Sequence, residues 1–372
     1  MADSLEELRR QGLPFYDLTE SNPTHCNFSY PPEILTALVN LENLKYEPQP
    51  QGVLAAREAV CAYYHRKGIL IDPSQVFLTA STSEGYSFLF RLLMNPGEEA
   101  LFPAPSYPLF QFLGDLNDIE MATYPLVYSQ GQWQTDEKRI VKKISRKAKA
   151  ICLVNPNNPT GSYVQSSELD LVNRLCRDNQ LAIVADEVFL DYSFEKNQKP
   201  ISLAGNSENL TFVLGGLSKT LGLPQMKLSW IVVNGPKPQM TSAIERLEVI
   251  ADTYLSVNTP VQNALALWFD FQERIQKEIR ERTRRNLDYV LENAPQAGGE
   301  CLRAQGGWYA VLKLPDYIDE EPFTLELLEK DRVYIHPGYF FDFVEAPYAV
   351  LSLLPREDIF QEGVKRLIRR AT

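Results

Sequence analysis

Histidine is scarce in this 372-residue chain: only His25, His65 and His336 occur. None stands in a GxSxG or HExxH setting, so neither a serine-hydrolase elbow nor a zinc-protease helix is spelled out. The five cysteines, Cys26, Cys61, Cys152, Cys176 and Cys301, are scattered and form no CxxC pair. That removes the usual signals of a disulfide framework and of a metal site, and the thiols are expected to be reduced. No apolar run reaches membrane-spanning length, and the leucine- and charge-alternating start lacks the apolar core of a secretory signal. A cytoplasmic location and no membrane partner are the expectation. The formal charge of -11 disfavours a nucleic-acid surface. A small molecule is the expected partner.

What remains is an ordinary globular composition, 44% hydrophobic and 23% charged, on a chain longer than one core usually supports. Short β-rich runs alternate with helical patterns in the middle: Val76 to Ala80, Ala100 to Pro103, Ala148 to Val154, Leu181 to Asp186, Leu210 to Leu214 and Leu228 to Val233. That alternation predicts a doubly wound, mostly parallel α/β sheet. After Gln262 a charged helical stretch near Glu273 to Asn286 is followed by strands at Trp308 to Leu314 and Ala349 to Leu354. A large domain over residues 45–260 is expected, with a smaller α+β domain built from 1–44 and 261–372. The first thirty residues show no long periodic element and are expected beside the C-terminal part.

Chemistry-bearing residues fall at the ends of those runs. Lys219 lies in Gly215-Gly-Leu-Ser-Lys-Thr-Leu-Gly-Leu-Pro224, placing an amine at the mouth of an α/β sheet, where small ligands bind. Asp186 ends an apolar strand, where a carboxylate can keep a ring nitrogen protonated because water is scarce, although a helix cap would look the same. Asn155-Pro-Asn-Asn-Pro-Thr-Gly161 is a stiff turn that can aim the Asn158 amide, or simply a strand-to-loop turn. Thr79-Ala-Ser-Thr-Ser-Glu-Gly85 opens a helix, so Ser81 and Thr82 can hold an anion or merely cap. Tyr107, in a Pro-rich turn, can stack on a flat ring or be structural. Lys227, eight residues past Lys219, can pair a phosphate or be solvated.

Together these motifs resemble the fold-type I pyridoxal-phosphate enzymes, and within them the class I/II aminotransferases. Asn-Pro-x-Asn-Pro-Thr-Gly, Ala-Asp-Glu-Val and Ser-Lys-Thr-x-Gly-Leu-Pro carry the resemblance across nearly the whole chain. It implies the aspartate aminotransferase fold, with a mostly parallel seven-stranded sheet and a smaller α+β domain. It implies pyridoxal 5′-phosphate held as a Schiff base on Lys219, Asp186 on the pyridine nitrogen, Asn158 on the phenolic oxygen and Tyr107 stacked on the ring. Ser81, Thr82, Ser218 and Lys227 would surround the phosphate, and Asn22 and Asn158 would meet the substrate. Tyr46 would reach the neighbouring site of a homodimer. The implied reaction moves an amino group between an amino acid and a keto acid.

Four positions depart from the family pattern. Gly216 stands where a hydroxylated residue is expected three places before the lysine, and Lys227 stands for an arginine, giving a point charge in place of a planar fork. Phe189 replaces a tyrosine three residues after Asp186. Val350 occupies the place of the arginine that clamps the substrate α-carboxylate. Arg356 and Arg303 are the nearest substitutes in sequence. A pyridoxal-phosphate lyase or cyclase, eliminating a β- or γ-substituent, is the alternative activity. A cofactor-binding regulatory or scaffold protein with weakened catalysis is the third reading.

Overall fold

Each apolar run picked out between Val76 and Val233 forms a strand in the computed structural model, which describes residues 2–195, 199–343 and 347–372. In chain order the strands are β1 (Tyr16–Asp17), β2 (Val76–Thr79), β3 (Glu99–Ala104), β4 (Glu120–Ser129), β5 (Gln132–Thr135), β6 (Ala148–Val154) and β7 (Ala182–Asp186). They continue as β8 (Thr211–Gly216), β9 (Ser229–Asn234), β10 (Glu300–Cys301), β11 (Tyr309–Lys313), β12 (Val333–Tyr334), β13 (His336–Pro337) and β14 (Tyr348–Ser352).

The large sheet has the order β2-β9-β8-β7-β6-β3-β4-β5. Strands β3, β4, β6, β7 and β8 pair in parallel, while β9 runs antiparallel to both β8 and β2. Successive side chains of a strand point to opposite faces, and here both faces are apolar. Ile151, Leu153, Ile183 and Ala185 enter one cluster with Val60 and Tyr64 of helix Leu54–His65 and Val172 of helix Ser166–Asn179. Their sequence neighbours Ala150, Cys152, Ala182 and Val184 enter the other, with Phe88 of helix Thr82–Leu93 and Leu247 of helix Lys237–Tyr254.

The sheet has eight strands where seven were expected, because β4 continues into a hairpin. Gln130 and Gly131 both have positive φ, the geometry of a tight two-residue turn, and β5 folds back on β4 through the pairs Leu126↔Thr135 to Ser129↔Gln132.

A four-stranded antiparallel sheet, β10-β11-β14-β13, forms the second layer. Leu287 of helix Gln272–Asn293, Leu327 of helix Glu320–Asp331 and Phe360 of helix Glu357–Ala371 cover it. The N-terminal segment lies against this layer: β1 pairs in parallel with β12, and Ser352 donates its N–H to the Leu18 carbonyl at 2.7 Å. One feature of that segment differs from the expectation. Ala2–Arg10 is helical, with Leu5 buried and Ser4 bonded to Glu329, so packing supplies the order that local periodicity did not announce. Helix Thr259–Asp270 packs Leu265 and Trp268 into the cluster that holds Tyr63 and Trp230. Among the described residues no helix is long and apolar enough to cross a membrane.

Trp230 anchors that cluster: it is fully buried, donates its indole N–H to the Tyr64 hydroxyl at 3.2 Å and sits edge-on to Tyr63. Trp230→Ala is expected to cost about 3–5 kcal/mol. Urea unfolding followed by circular dichroism measures it, and an unchanged midpoint would contradict the assigned packing.

Candidate functional site

Five of the predicted residues stand in spatial sequence along the carboxyl edge of the large sheet. Ser81 follows β2, Lys219 follows β8, Asp186 ends β7, Asn158 follows β6 and Tyr107 follows β3. Because β9 is antiparallel to its neighbours, its amino end and the preceding Lys227 arrive at the same edge. Outside the carboxyl ends of an open α/β sheet is where such folds bind ligands.

Lys219 sits in the short helix Leu217–Thr220, and Tyr192 donates its hydroxyl to the Lys219 carbonyl at 2.6 Å. The residue is half-buried, but its amine is enclosed, 4.9 Å from the ring centroid of Trp308 and 5.5 Å from that of Phe189. Burial pushes the amine pKa down to about 8, against the opposing pull of the Asp186 charge. Asp186 is buried and accepts from the Val188 N–H at 3.1 Å and the Tyr86 hydroxyl at 3.3 Å. Burial raises its carboxyl to about 6, although both hydrogen bonds and Lys219 favour the ionised form. The Lys219 amine thus gives up its proton, and the Asp186 carboxyl keeps one, more readily than either would in water.

The Asn-Pro turn is fastened from two sides. Asn157 donates its side-chain amide to the Pro105 carbonyl at 3.0 Å, tying it to the turn that carries Tyr107. Gln305 and Gly306 donate their N–H groups to the Gly161 carbonyl at 2.9 and 3.0 Å, tying it to the loop that presents Trp308. The bonds before Pro105, Pro156 and Pro159 are cis. Asn158 is buried, and its side-chain oxygen has no hydrogen-bond partner. Tyr107 keeps 42% of its surface exposed, with its ring edge-on to Phe110.

At the start of helix Thr82–Leu93, Ser81 accepts the Glu84 N–H at 3.1 Å. The cap uses an oxygen lone pair, so the hydroxyl proton and the outward N–H groups of Thr82 and Ser83 remain available to an anion. Ser218 is half-buried beside Lys219, and Lys227 is exposed in a left-handed conformation.

Two predicted residues are not gathered with these in one chain. Tyr46 is 79% exposed and borders a separate small cavity with Leu78, Phe88 and Leu255. The Asn22 amide is engaged locally, its oxygen accepting from the Thr24 N–H at 3.0 Å and the Thr24 hydroxyl at 2.8 Å. Val350 is fully buried, opposite His336 on β13 and Val311 on β11. Neither substitute cation is free, since Arg303 pairs with Glu195 and Arg356 with Asp358, each at 2.8 Å. A cavity of about 1020 Å³ bounded by Lys67, Asp191, Arg280 and Arg284 is lined by none of the predicted site residues.

Sequence reasoning missed Tyr86, Tyr192 and Trp308. Tyr86 and Tyr192 carry no motif, and only the fold brings the former across to Asp186. Trp308 had a signal, the pair Gly306-Gly307 immediately before a strand.

A family model described as aminotransferase class I and II matches residues 17–349. The chain is 29% identical over 373 residues to a glutamate-pyruvate aminotransferase of Haemophilus influenzae, covering 97% of this chain and 92% of that protein. An aminotransferase of Escherichia coli superposes with a TM-score of 0.89 at 26% identity, over 100% of this chain and 94% of that one. The alanine aminotransferase of Pyrococcus furiosus gives 0.91 at 24% identity, over 100% and 95%, a likeness of fold.

The raised carboxyl pKa has a stability consequence. Asp186 binds its proton more tightly folded than unfolded, so its contribution is fully present below about pH 4 and lost as pH rises through about 6. In the cofactor-free protein, Asp186→Asn is expected to match the parent near pH 4 and exceed it by up to about 3 kcal/mol at pH 7. Urea midpoints at the two pH values measure this, and a variant less stable at pH 7 would contradict it.

Proposed function

From its membership of the class I and II aminotransferase family, which makes the chain a pyridoxal-phosphate-dependent transaminase acting on amino and keto acids, we propose that Lys219 and Asp186 are the residues that run this chemistry. The observation that carries the proposal is their pairing on neighbouring strand ends, an enclosed amine with its pKa near 8 beside an enclosed carboxylate.

The surrounding residues fit the cofactor. Asn158 is a buried amide that makes no hydrogen bond within the described chain, and so leaves its side chain to a ligand. Bound pyridoxal 5′-phosphate supplies an electron-accepting ring conjugated to the substrate nitrogen. Lys219 would hold the cofactor covalently at its aldehyde carbon, and its amine, when free, would take a proton from the substrate α-carbon and give it up again as base and then acid. Asp186 holds a proton on the ring nitrogen; its ionised form is favoured by Tyr86 and the Val188 N–H. Asn158 bonds the phenolic oxygen and Tyr107 covers the ring face. Phe189, where a second phenolic bond is expected, offers only its ring. Ser81, Thr82, Ser218 and Lys227 surround the phosphate, and Asn22 lies on the loop beside the substrate.

Glutamate or alanine with pyruvate or 2-oxoglutarate are the first pairs to assay, because relatives carry those names. Transamination is expected to convert the bound cofactor to pyridoxamine phosphate with one keto acid formed per amino acid. Release of ammonia with the cofactor unchanged would favour the eliminating lyase instead. Lys219→Ala is expected to abolish the link that borohydride fixes between protein and cofactor. A variant that still retains covalent cofactor after reduction would overturn the assignment of the lysine.

The same reading takes residues 45–260 as the cofactor-bearing domain and residues 1–44 with 261–372 as the smaller one. It makes the protein a cytoplasmic homodimer in which Tyr46 reaches the phosphate of the second copy. The five free cysteines agree with a reducing location, and the exposed Leu41, Leu44 and Tyr46 form an apolar stretch suited to a contact. Light scattering is expected to report twice the 42.4 kDa chain mass. A monomer that transaminates at full rate would refute the shared site.

A further inference from the structure

Position 216 raises a specific question about the phosphate, because the hydroxyl that the family resemblance places there is missing. Gly216 has an extended backbone, φ -179°, which any residue adopts, so conformation does not demand glycine. Space does. A Cβ on Gly216 would lie 2.3 Å from the Ser229 hydroxyl oxygen and 3.0 Å from the Ser229 Cβ. The side chain of Ser229 fills the volume that a side chain at 216 would need.

The sheet register says where that hydroxyl is. Ser229 on β9 is paired with Gly216 on β8 and with Thr79 on β2. Register partners project from one face of a sheet. One step inward on the same face, Leu214, Ile231 and Phe77 pack with Phe88 and Leu89 of helix Thr82–Leu93. The first turn of that helix comes close over them, since a Cβ on Gly85 would lie 2.7 Å from Leu214 Cδ2. Ser229 therefore stands at the carboxyl edge, under the helix start whose free N–H groups suit an anion, and two residues after Lys227. It is 98% buried by its 2% exposure, yet its hydroxyl bonds to none of the described residues. Thr79, beside it, already donates to the Ser81 carbonyl at 3.0 Å. A hydroxyl in so closed a place that bonds to no described protein group is left to donate to a ligand.

We propose that Ser229 donates a hydrogen bond to the phosphate of pyridoxal 5′-phosphate, the hydroxyl having moved from β8 to its neighbour β9 while Gly216 vacates the space. The inference rests on the cofactor site at Lys219 proposed above. The test is titration of the cofactor-free full chain with pyridoxal 5′-phosphate and with pyridoxal, the same aldehyde lacking the phosphate, followed by absorbance. Ser229→Ala is expected to weaken pyridoxal 5′-phosphate about tenfold to a hundredfold and leave pyridoxal unchanged. Gly216→Ser alone is expected to weaken binding by collision, and Gly216→Ser with Ser229→Gly to restore the parent preference for the phosphorylated form. An unchanged preference in Ser229→Ala, or a double variant that fails to regain it, overturns the proposal. Should Lys219→Ala bind both aldehydes as the parent does, the site itself is misplaced, a failure distinct from that of Ser229.

Discussion

Burial of two opposite charges at adjacent strand ends is the constraint around which the site is arranged. Taking an ammonium and a carboxylate out of water disfavours both charged forms, so the Lys219 pKa falls to about 8 and the Asp186 pKa rises to about 6. Their mutual attraction recovers only part of the loss. An exposed pair would keep ordinary pKa values and do little. The enclosed pair differs: its amine gives up a proton more readily than one in water, and its carboxyl keeps one more readily.

Enclosure at that point requires a scaffold that is apolar on both faces up to its last residue. Strand β7 provides it, every residue from Ala182 to Asp186 being buried between the two clusters. The polar edge is then confined to loops, and these are cross-tied. Asn157 joins the Asn-Pro turn to the Tyr107 turn, while Gln305 and Gly306 join it to the second sheet. Through that last tie the smaller sheet delivers Trp308 over the Lys219 amine, so the site draws on both layers.

The departures from the family pattern fall into two kinds. Gly216 is explained by a neighbour, since Ser229 fills its space and brings a hydroxyl of its own. Phe189 keeps an aromatic wall near the amine and gives up one polar contact. Val350 has a different character: it is sealed between β11 and β13, and the arginines nearest in sequence are paired elsewhere. The strand position where the resemblance expects a carboxylate-binding arginine thus offers no cation.

Sequence alone determined the order of the sheet-edge residues and hence the chemical family, because apolar runs of strand length, each ended by Gly, Pro or a polar residue, are local signals. Ala148 to Val154 and Lys219 after its strand were readable for that reason. The hairpin β4–β5 was not, since half-buried strands with mixed composition carry little periodic signal, and the helix Ala2–Arg10 owes its order to contacts far along the chain. Tyr86 under Asp186, Trp308 over Lys219 and Ser229 inside the space of Gly216 were decided only by tertiary structure. Each joins residues at least thirteen positions apart through strand register or loop docking, and a linear chain does not state which strands will be neighbours.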